Sequence, residues 1–266
     1  SSIINMEYQY LSETVTIKKI SETNTEGVFE VEGLYTGYGL TVGNALRRVL
    51  LSSLPGAAIT QIKIKGVSHE FSTLPGVKED MVELALNCKK IRFRIHTDEP
   101  QVLTLKVKGE KTAAASDIKV NSQVELITPD VEIAHLTSKD AELDMEITVE
   151  KGLGYVPTEA RRSDKLPIGV IAIDALFSPV VKVNLIVENM RVGERADYNR
   201  LRLLVTTDGS ITPSSALHKS CNILQDHFSK ISQVEVKELE KMEAPAEEKK
   251  AKKAAKEKKT AKKSKK

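Results

Sequence analysis

The chain has 266 residues, and its 40 Lys+Arg against 37 Asp+Glu give a formal net charge of only +3. That average hides a split, because residues 249–266 contain 11 lysines and one acid and carry +10, which leaves −7 for residues 1–248. No apolar run approaches the roughly 20 residues of a membrane-spanning helix, and residues 1–9 show no secretory signal. Cys88 and Cys221 are the only cysteines. The composition therefore excludes membrane and disulfide-rich proteins and predicts a globular protein of a reducing cytoplasm.

Period-two alternation of apolar and polar residues predicts strands over much of the chain. Leu103, Leu105 and Val107, for example, alternate with threonine and lysines. The same pattern recurs over residues 91–95, 143–149, 181–187 and 201–205. Such strands bury one face and expose the other to water, which favours antiparallel pairing. Because there are only three helical segments and no βαβ rhythm, the sequence predicts an α+β fold.

Three segments have helical periodicity instead. The first helix is predicted over Val42–Leu54, with Thr41 as its N-cap and Pro55-Gly56 ending it. The second is predicted over Val77–Lys90, where acids in the first turn and lysines in the last turn match the helix dipole. The third begins at Thr212-Pro213, an N-cap followed by proline at the first helical position.

Apolar residues of the third helix follow heptad spacing, which is typical of a narrow seam against another helix. The seam consists of Leu217, Cys221, Leu224, Phe228 and Ile231. A matching stripe on the first helix consists of Val42, Ala45, Leu46 and Val49. One interpretation is that the third helix packs on its own domain. The favoured interpretation is a seam shared with a second copy of the chain, with Cys221 as an interior residue.

The sequence shows no self-contained active site. Gly37, Gly39 and Gly43 are spaced GxGxxxG, which misses the dinucleotide-binding spacing by one residue and lacks its βαβ context. These glycines are instead predicted to form a tight turn before the first helix. No phosphate-binding loop, zinc-protease or serine-hydrolase motif is present, and neither histidines nor aspartates cluster at metal-ligand spacing. We therefore expect no catalytic residues and no cofactor in this chain.

Several segments carry a resemblance to a known family. They include residues 43–56 (GNALRRVLLSSLPG), 66–72 (GVSHEFS), 152–157 (GLGYVP), 166–169 (LPIG), 174–179 (DALFSP) and the helix from Thr212. In sequence and order these segments resemble the α subunit of bacterial-type DNA-directed RNA polymerase, across roughly residues 6–235. A match over so many segments identifies the chain as a member of that family.

The resemblance implies an assembly role. It implies a dimerisation subdomain from residues 1–55 plus 179–236 and an inserted, mainly β subdomain over residues 56–178, which agrees with breaks at Pro55-Gly56 and Ser178-Pro179. The family's homodimer is the platform for the β and then the β′ subunit, with omega and sigma joining in the holoenzyme. The catalytic Mg²⁺ is expected in β′, which agrees with the absence of a metal cluster here.

The resemblance also assigns contacts. Arg47, Arg48 and Leu51 are expected to contact β, with Arg48 the stronger candidate, because an arginine fork suits carboxylates on a partner. The alternative is an ion pair within the chain. Residues expected to contact β or β′ are Asp174, Ser178, Pro179 and Val180.

Family members usually continue into a small helical domain that binds upstream DNA, and nothing similar follows Lys237. A Lys-rich stretch stands there instead, without apolar periodicity, and residues 237–266 are predicted to be disordered. Lysine clusters contact nucleic-acid phosphates without reading sequence. The residues predicted to contact DNA in this way are Lys249, Lys250, Lys252, Lys253, Lys256, Lys258, Lys259, Lys262, Lys263, Lys265 and Lys266. The alternative is a solvated tail without a specific role.

The sequence leaves three candidate functions. The favoured one is a non-catalytic scaffold subunit of RNA polymerase, located in a bacterial cytoplasm or a plastid stroma. The second is a freestanding nucleic-acid- or ribosome-binding protein whose lysine-rich tail is the working part. The third is an enzyme with an unrecognised site, which the absence of catalytic motifs disfavours.

Overall fold

The structure is a computed structural model, and it describes residues 13–161, 167 and 169–235. By its internal contacts the chain divides into two units, residues 1–227 and residues 228–266. The strands are β1 (Thr16–Glu22), β2 (Glu26–Leu34), β3 (Pro55–Ile64), β4 (Phe93–Ile95), β5 (Gln101–Lys108), β6 (Lys111–Ala114), β7 (Ile118–Lys119), β8 (Val124–Leu126), β9 (Glu132–Leu136), β10 (Glu142–Leu153), β11 (Tyr155–Val156), β12 (Val170–Ala172), β13 (Ala175–Leu176), β14 (Val180–Val192) and β15 (Arg195–Thr207). The α-helices are α1 (Tyr38–Ser52), α2 (Met81–Cys88) and α3 (Pro213–Ile231). This content confirms the predicted α+β class.

A four-stranded antiparallel sheet combines the two ends of the described chain. Its strand order is β1-β2-β15-β14, so two early strands pair with two late ones. β14 and β15 form a long hairpin, and α1 packs on both of them. Leu201, Leu203 and Val205 of β15 are at most 1 % exposed, which confirms the alternation predicted for this strand.

The alternation predicted for β14 is wrong at its start. Val181 was expected to share a buried face with Val183, yet Val181 is 63 % exposed while Val180 and Val183 are buried. The register of β14 against β15 shifts between Val180 and Lys182. Because an extra residue in one strand reverses which side chains face the core, this bulge turns Val181 outward.

A seven-stranded antiparallel sheet fills the middle of the chain. Its order is β7-β5-β10-β3-β4-β8, and β12 pairs with the remaining part of β3. Leu103 and Leu105 of β5 face Ile147 and Met145 of β10 in the paired register. All four side chains are at most 1 % exposed, as the alternation predicted. α2 lies on the same hydrophobic core, to which it contributes Met81, Leu84 and Cys88.

Helix α1 begins four residues before the predicted start, at Tyr38, and only Gly37 forms the tight turn, with φ of 86°. Gly39 and Gly43 lie inside the helix. A Cβ atom on Gly39 would come within 2.7 Å of Val187, and one on Gly43 within 3.0 Å of Leu201. The prediction of a glycine turn was therefore wrong for these two glycines, which instead allow the helix to lie close to the sheet.

Helix α2 is shorter than predicted, since it covers Met81–Cys88 and not Val77–Lys90. Asp80 is its N-cap and accepts a hydrogen bond from the Glu83 N–H at 2.7 Å. Glu79 stands outside the helix and accepts hydrogen bonds from the backbone N–H and ring of His135. A tertiary contact therefore removes this acid from the predicted first turn.

Helix α3 begins at Pro213, as predicted. The Thr212 hydroxyl accepts the Ser215 N–H at 3.4 Å, and Glu22 of β1 accepts the Ser214 N–H at 2.8 Å. The second contact joins β1 to the start of α3, because a carboxylate suits the positive end of a helix dipole.

The two predicted domain breaks lie side by side. A Cβ atom on Gly56 would come within 1.9 Å of the Phe177 carbonyl oxygen, so only glycine allows this backbone approach. One hydrophobic cluster draws its buried residues from positions 57–173, and another draws them from positions 29–54 and 180–217. The division into two subdomains stays a prediction, with which this separation of the cores agrees. In the described part of the chain, no helix has the length and apolar character needed to cross a membrane.

Candidate subunit-assembly surface

Arg47 and Arg48 stand on the solvent side of α1. Leu46 and Leu50 of the same helix are 6 % and 0 % exposed, and they fix the inner face against the four-stranded sheet. Both arginine side chains are exposed, and neither makes an ion pair with another described residue. The alternative of an ion pair within the described chain therefore finds no support. Leu51 is half-buried and packs against the sheet's core, so it is less available to a partner than the arginines.

The end of α1 adjoins an exposed apolar patch. A Cβ atom on Gly154 would lie 3.7 Å from the Ser52 carbonyl oxygen, which brings the turn after β10 against the helix end. Leu153 and Tyr155, on either side of this glycine, are 57 % and 54 % exposed, and Leu176 pairs with Tyr155 in a two-stranded sheet. An apolar patch of this kind is typical of a protein-binding surface.

Asp174 is hydrogen-bonded to the Tyr155 side chain of this patch. Its carboxylate accepts the Thr158 N–H at 2.9 Å and pairs with Lys89 Nζ at 3.3 Å. The Thr158 hydrogen bond, with smaller contributions from Tyr155 and Lys89, lowers the pKa of Asp174 below its ordinary value. The hydrogen bond with Asp174 in turn raises the pKa of Tyr155. Asp174 is thus a fixed anion, and Lys89 lies 5.5 Å from the centre of the Tyr155 ring.

Helix α2 extends this surface. A cavity of about 170 Å³ lies beside Asp174 and Lys89, with Val82 and Leu86 on its helical side. Val82 is 41 % exposed and Leu86 is 55 % exposed. We use the term assembly surface for the residues around these features: Arg47, Arg48, Val82, Leu86, Lys89, Leu153, Tyr155, Asp174 and Leu176.

Three residues predicted to contact β or β′ lie inside the chain. Ser178, Pro179 and Val180 are all buried, and the Ser178 hydroxyl donates to the Val180 carbonyl oxygen at 3.2 Å. They form the turn that leads into β14 and expose little side-chain surface, so their contact with β or β′ stays a prediction. From this segment Asp174 and Leu176 reach the surface instead.

The residues of the predicted dimer seam fall into a buried group and an exposed group. Leu46 and Leu217 are buried in the core of their own chain, and Val42 and Leu224 pack partly against that core. The surface between two copies therefore stays a prediction, with these four residues wholly or partly engaged in the core of their own chain. Heptad spacing indicates an apolar stripe but not the surface that covers it. Here the core of the same chain covers Leu46 and Leu217. Ala45 and Val49 are half-buried, whereas Cys221, Phe228 and Ile231 are exposed in a single copy, which leaves these three residues available to a second copy.

Sequence reasoning missed most of the apolar part of the assembly surface. Val82 and Leu86 are four residues apart on α2, on a different side from its buried stripe of Met81, Leu84 and Cys88. A helix with apolar residues on two sides requires two partners, and this signal was available in the sequence. Leu153 and Tyr155 gave no such signal, because only the pairing of β11 with β13 brings them to Asp174.

The remaining predicted sites concern metals and the lysine cluster. Among the described residues, no group of three or more His, Cys, Asp or Glu side chains is arranged to hold a metal ion. The lysines from Lys249 to Lys266 lie outside the described residues, so their contact with DNA stays a prediction.

Comparisons with known proteins agree with the resemblance seen in the sequence. Residues 62–178 match the family model of the RNA polymerase Rpb3/RpoA insert domain. The chain is 49 % identical over 215 residues to the DNA-directed RNA polymerase subunit alpha of Alkaliphilus oremlandii, an alignment that covers 81 % of this chain and 68 % of the relative. It is 49 % identical over 209 residues to that of Symbiobacterium thermophilum, covering 79 % and 66 %.

A third relative, from Roseiflexus sp., is also named DNA-directed RNA polymerase subunit alpha and is 48 % identical over 216 residues, covering 81 % of this chain and 66 % of the relative. The chain thus spans about two thirds of the length of the curated relatives that it matches. The insert-domain match ends at residue 178, beside the second predicted break. Together with the α+β fold, these matches confirm the family: this chain belongs to the α subunits of DNA-directed RNA polymerase.

Proposed function

We propose that this chain is the non-catalytic scaffold of an RNA polymerase: two copies associate, and the dimer recruits a β subunit and then a β′ subunit. Family membership supports the subunit role. The observation that carries the assembly role is that Arg47 and Arg48 are exposed, without an ion-pair partner in the described chain, on the helix whose end adjoins the turn between Leu153 and Tyr155.

The assembly surface has the composition of a binding interface. Arginine and tyrosine are the residues that most often contribute large binding energies at interfaces, and exposed leucines surround them here. A planar guanidinium donates two parallel hydrogen bonds to one carboxylate, so a partner surface rich in Asp or Glu fits the α1 side. Beyond Tyr155, the assembly surface carries the negative Asp174 and the positive Lys89. Charges of both signs at fixed positions favour one orientation of the partner.

Arg48→Ala tests this proposal. The variant removes the fork while the buried Leu46 and Leu50 keep α1 on the sheet, so we expect an unchanged dimer and weaker β binding. Truncating an interface arginine costs about 2 kcal/mol, or about thirtyfold in affinity. The measurement is capture of β by the tagged chain after co-expression, together with light scattering for the oligomeric state.

Two further variants serve as controls. Arg48→Lys keeps the charge but loses the fork and should give intermediate capture, and Lys65→Ala removes an exposed lysine elsewhere and should capture β like the parent. A dimer that dissociates in Arg48→Ala while β capture is unchanged would contradict the assigned role. A monomer that co-purifies with RNA would favour the freestanding nucleic-acid-binding alternative.

The lysine-rich residues 249–266 have a separate proposed role. Eleven lysines against one acid would bind DNA phosphates through counterion release, and without interleaved aromatics or arginines they would not read sequence. This contact would hold the subunit near DNA without selecting a promoter.

A further inference from the structure

A second cavity shares no lining residue with the one beside α2. The chain forms a cavity of about 310 Å³ between the start of β3, strand β4, the loop before α3 and α3 itself. We use the term basic cavity for it. Arg94, His96, Lys151 and Lys219 are among its lining residues, and none of its lining residues is acidic.

Arg94 is fixed in this cavity. Its Nε donates to the Ser210 carbonyl oxygen at 2.9 Å, its Nη2 approaches the Gly209 carbonyl oxygen at 3.5 Å, and its Nη1 pairs with Glu125 at 2.7 Å. A guanidinium has five N–H donors, so two remain for a ligand. The side chain therefore presents donors in a defined position and needs no rearrangement to bind.

The other basic side chains have fewer partners than Arg94. Lys151 pairs with Asp98, an acid whose side chain is 88 % exposed and which is not part of the lining. Within the described part of the chain, Lys219 and the His96 ring have no hydrogen-bond or ion-pair partner. The cavity thus combines two cations that are each paired with one acid outside the lining, Arg94 and Lys151, with Lys219 and His96, whose side chains have no partner in the described residues.

We propose that the basic cavity binds a small polyphosphate anion, either free pyrophosphate or the diphosphate part of a nucleotide. Three cations and an imidazole around one concave site match a ligand with several negative oxygens better than a single carboxylate. Arg and Lys are the side chains that proteins use to bind phosphate groups, and Ile95 and Ile211 supply apolar parts of the wall. The site is separate from the proposed scaffold role and does not depend on it.

Calorimetric titration of the intact chain with sodium pyrophosphate at low ionic strength tests the inference. We expect saturable binding that Lys219→Gln weakens about tenfold, because a charge-assisted hydrogen bond is lost. His96→Gln should weaken it about threefold. Lys65→Gln changes charge equally, outside the cavity lining, and should bind like the parent. Residues 249–266 are present in every variant, so any background binding that they add cancels in these comparisons.

Two results would overturn the inference: no saturable pyrophosphate binding, or equal weakening by Lys219→Gln and Lys65→Gln, which would indicate a diffuse effect of net charge. Circular dichroism verifies that each variant is folded, and His96→Gln supplies an independent reading if Lys219→Gln is not. A parallel titration with ATP distinguishes the two sources. Binding of ATP as tight as that of pyrophosphate assigns the site to a nucleotide, and binding of pyrophosphate alone assigns it to the free anion.

Discussion

The position of Arg47 and Arg48 depends on the inner face of α1, and Leu50→Ala perturbs that face directly. Leu50 is 0 % exposed and lies in the core that joins α1 to the four-stranded sheet. Removing its three outer carbons leaves a cavity in a close-packed interior, and such substitutions cost about 3–5 kcal/mol. For a folded body of this size each kcal/mol lowers the melting temperature by roughly 2–4 °C, so we expect a loss of about 10 °C.

The matched control is Leu40→Ala, the same substitution in the same helix. Leu40 is 58 % exposed, so the loss there should be about 1 kcal/mol or less. Thermal unfolding followed by circular dichroism measures both variants, and capture of β at 25 °C shows whether α1 still presents its arginines. Equal destabilisation by Leu40→Ala and Leu50→Ala would refute the conclusion that α1 is anchored through its inner face.

Two more predictions follow from charge. Hydrogen bonds from Ser214 and an ion pair with Lys19 lower the pKa of Glu22 from 4.5 to about 2. A lowered folded-state pKa adds stability above the unfolded pKa that is lost as the pH falls towards 2. Glu22→Gln should therefore lower the melting temperature at pH 7 and match the parent near pH 2, whereas a pH-independent difference would contradict this. Removing residues 249–266 should weaken non-specific DNA binding at low salt and flatten its salt dependence; equal affinities of both chains throughout a salt titration would exclude the proposed contact.

Local patterns in the sequence were sufficient to predict the fold class. Period-two alternation identified β5, β10 and β15 because one face of each strand is buried, and burial selects apolar residues at every second position. The start of α3 was predictable because threonine and proline act locally there. The family resemblance was also readable from the sequence, and the comparisons confirmed it, whereas the non-catalytic scaffold role stays a proposal.

Tertiary contacts decided what local patterns leave open. Glu79 left the predicted helix α2 because His135, distant in sequence, offers it two hydrogen bonds. Val181 turned outward because the pairing of β14 with β15 contains a bulge. The bulge has no local signal, because it depends on a partner strand that the chain meets only on folding, whereas the N-cap Asp80 is a local signal for the observed start of α2.

The sequence by itself determined which residues are apolar, which are charged and where helices can begin. It therefore determined the α+β class, the arginines of α1 and the contrast between an acidic body and a lysine-rich end. The tertiary structure alone decided which apolar stripes are covered within the chain, as for Leu46 and Leu217, and which stay exposed. It also brought Arg94 and Lys219 to one cavity. The physical reason is that burial and proximity depend on which surfaces meet, and spacing along a single chain does not specify the surface that will cover it.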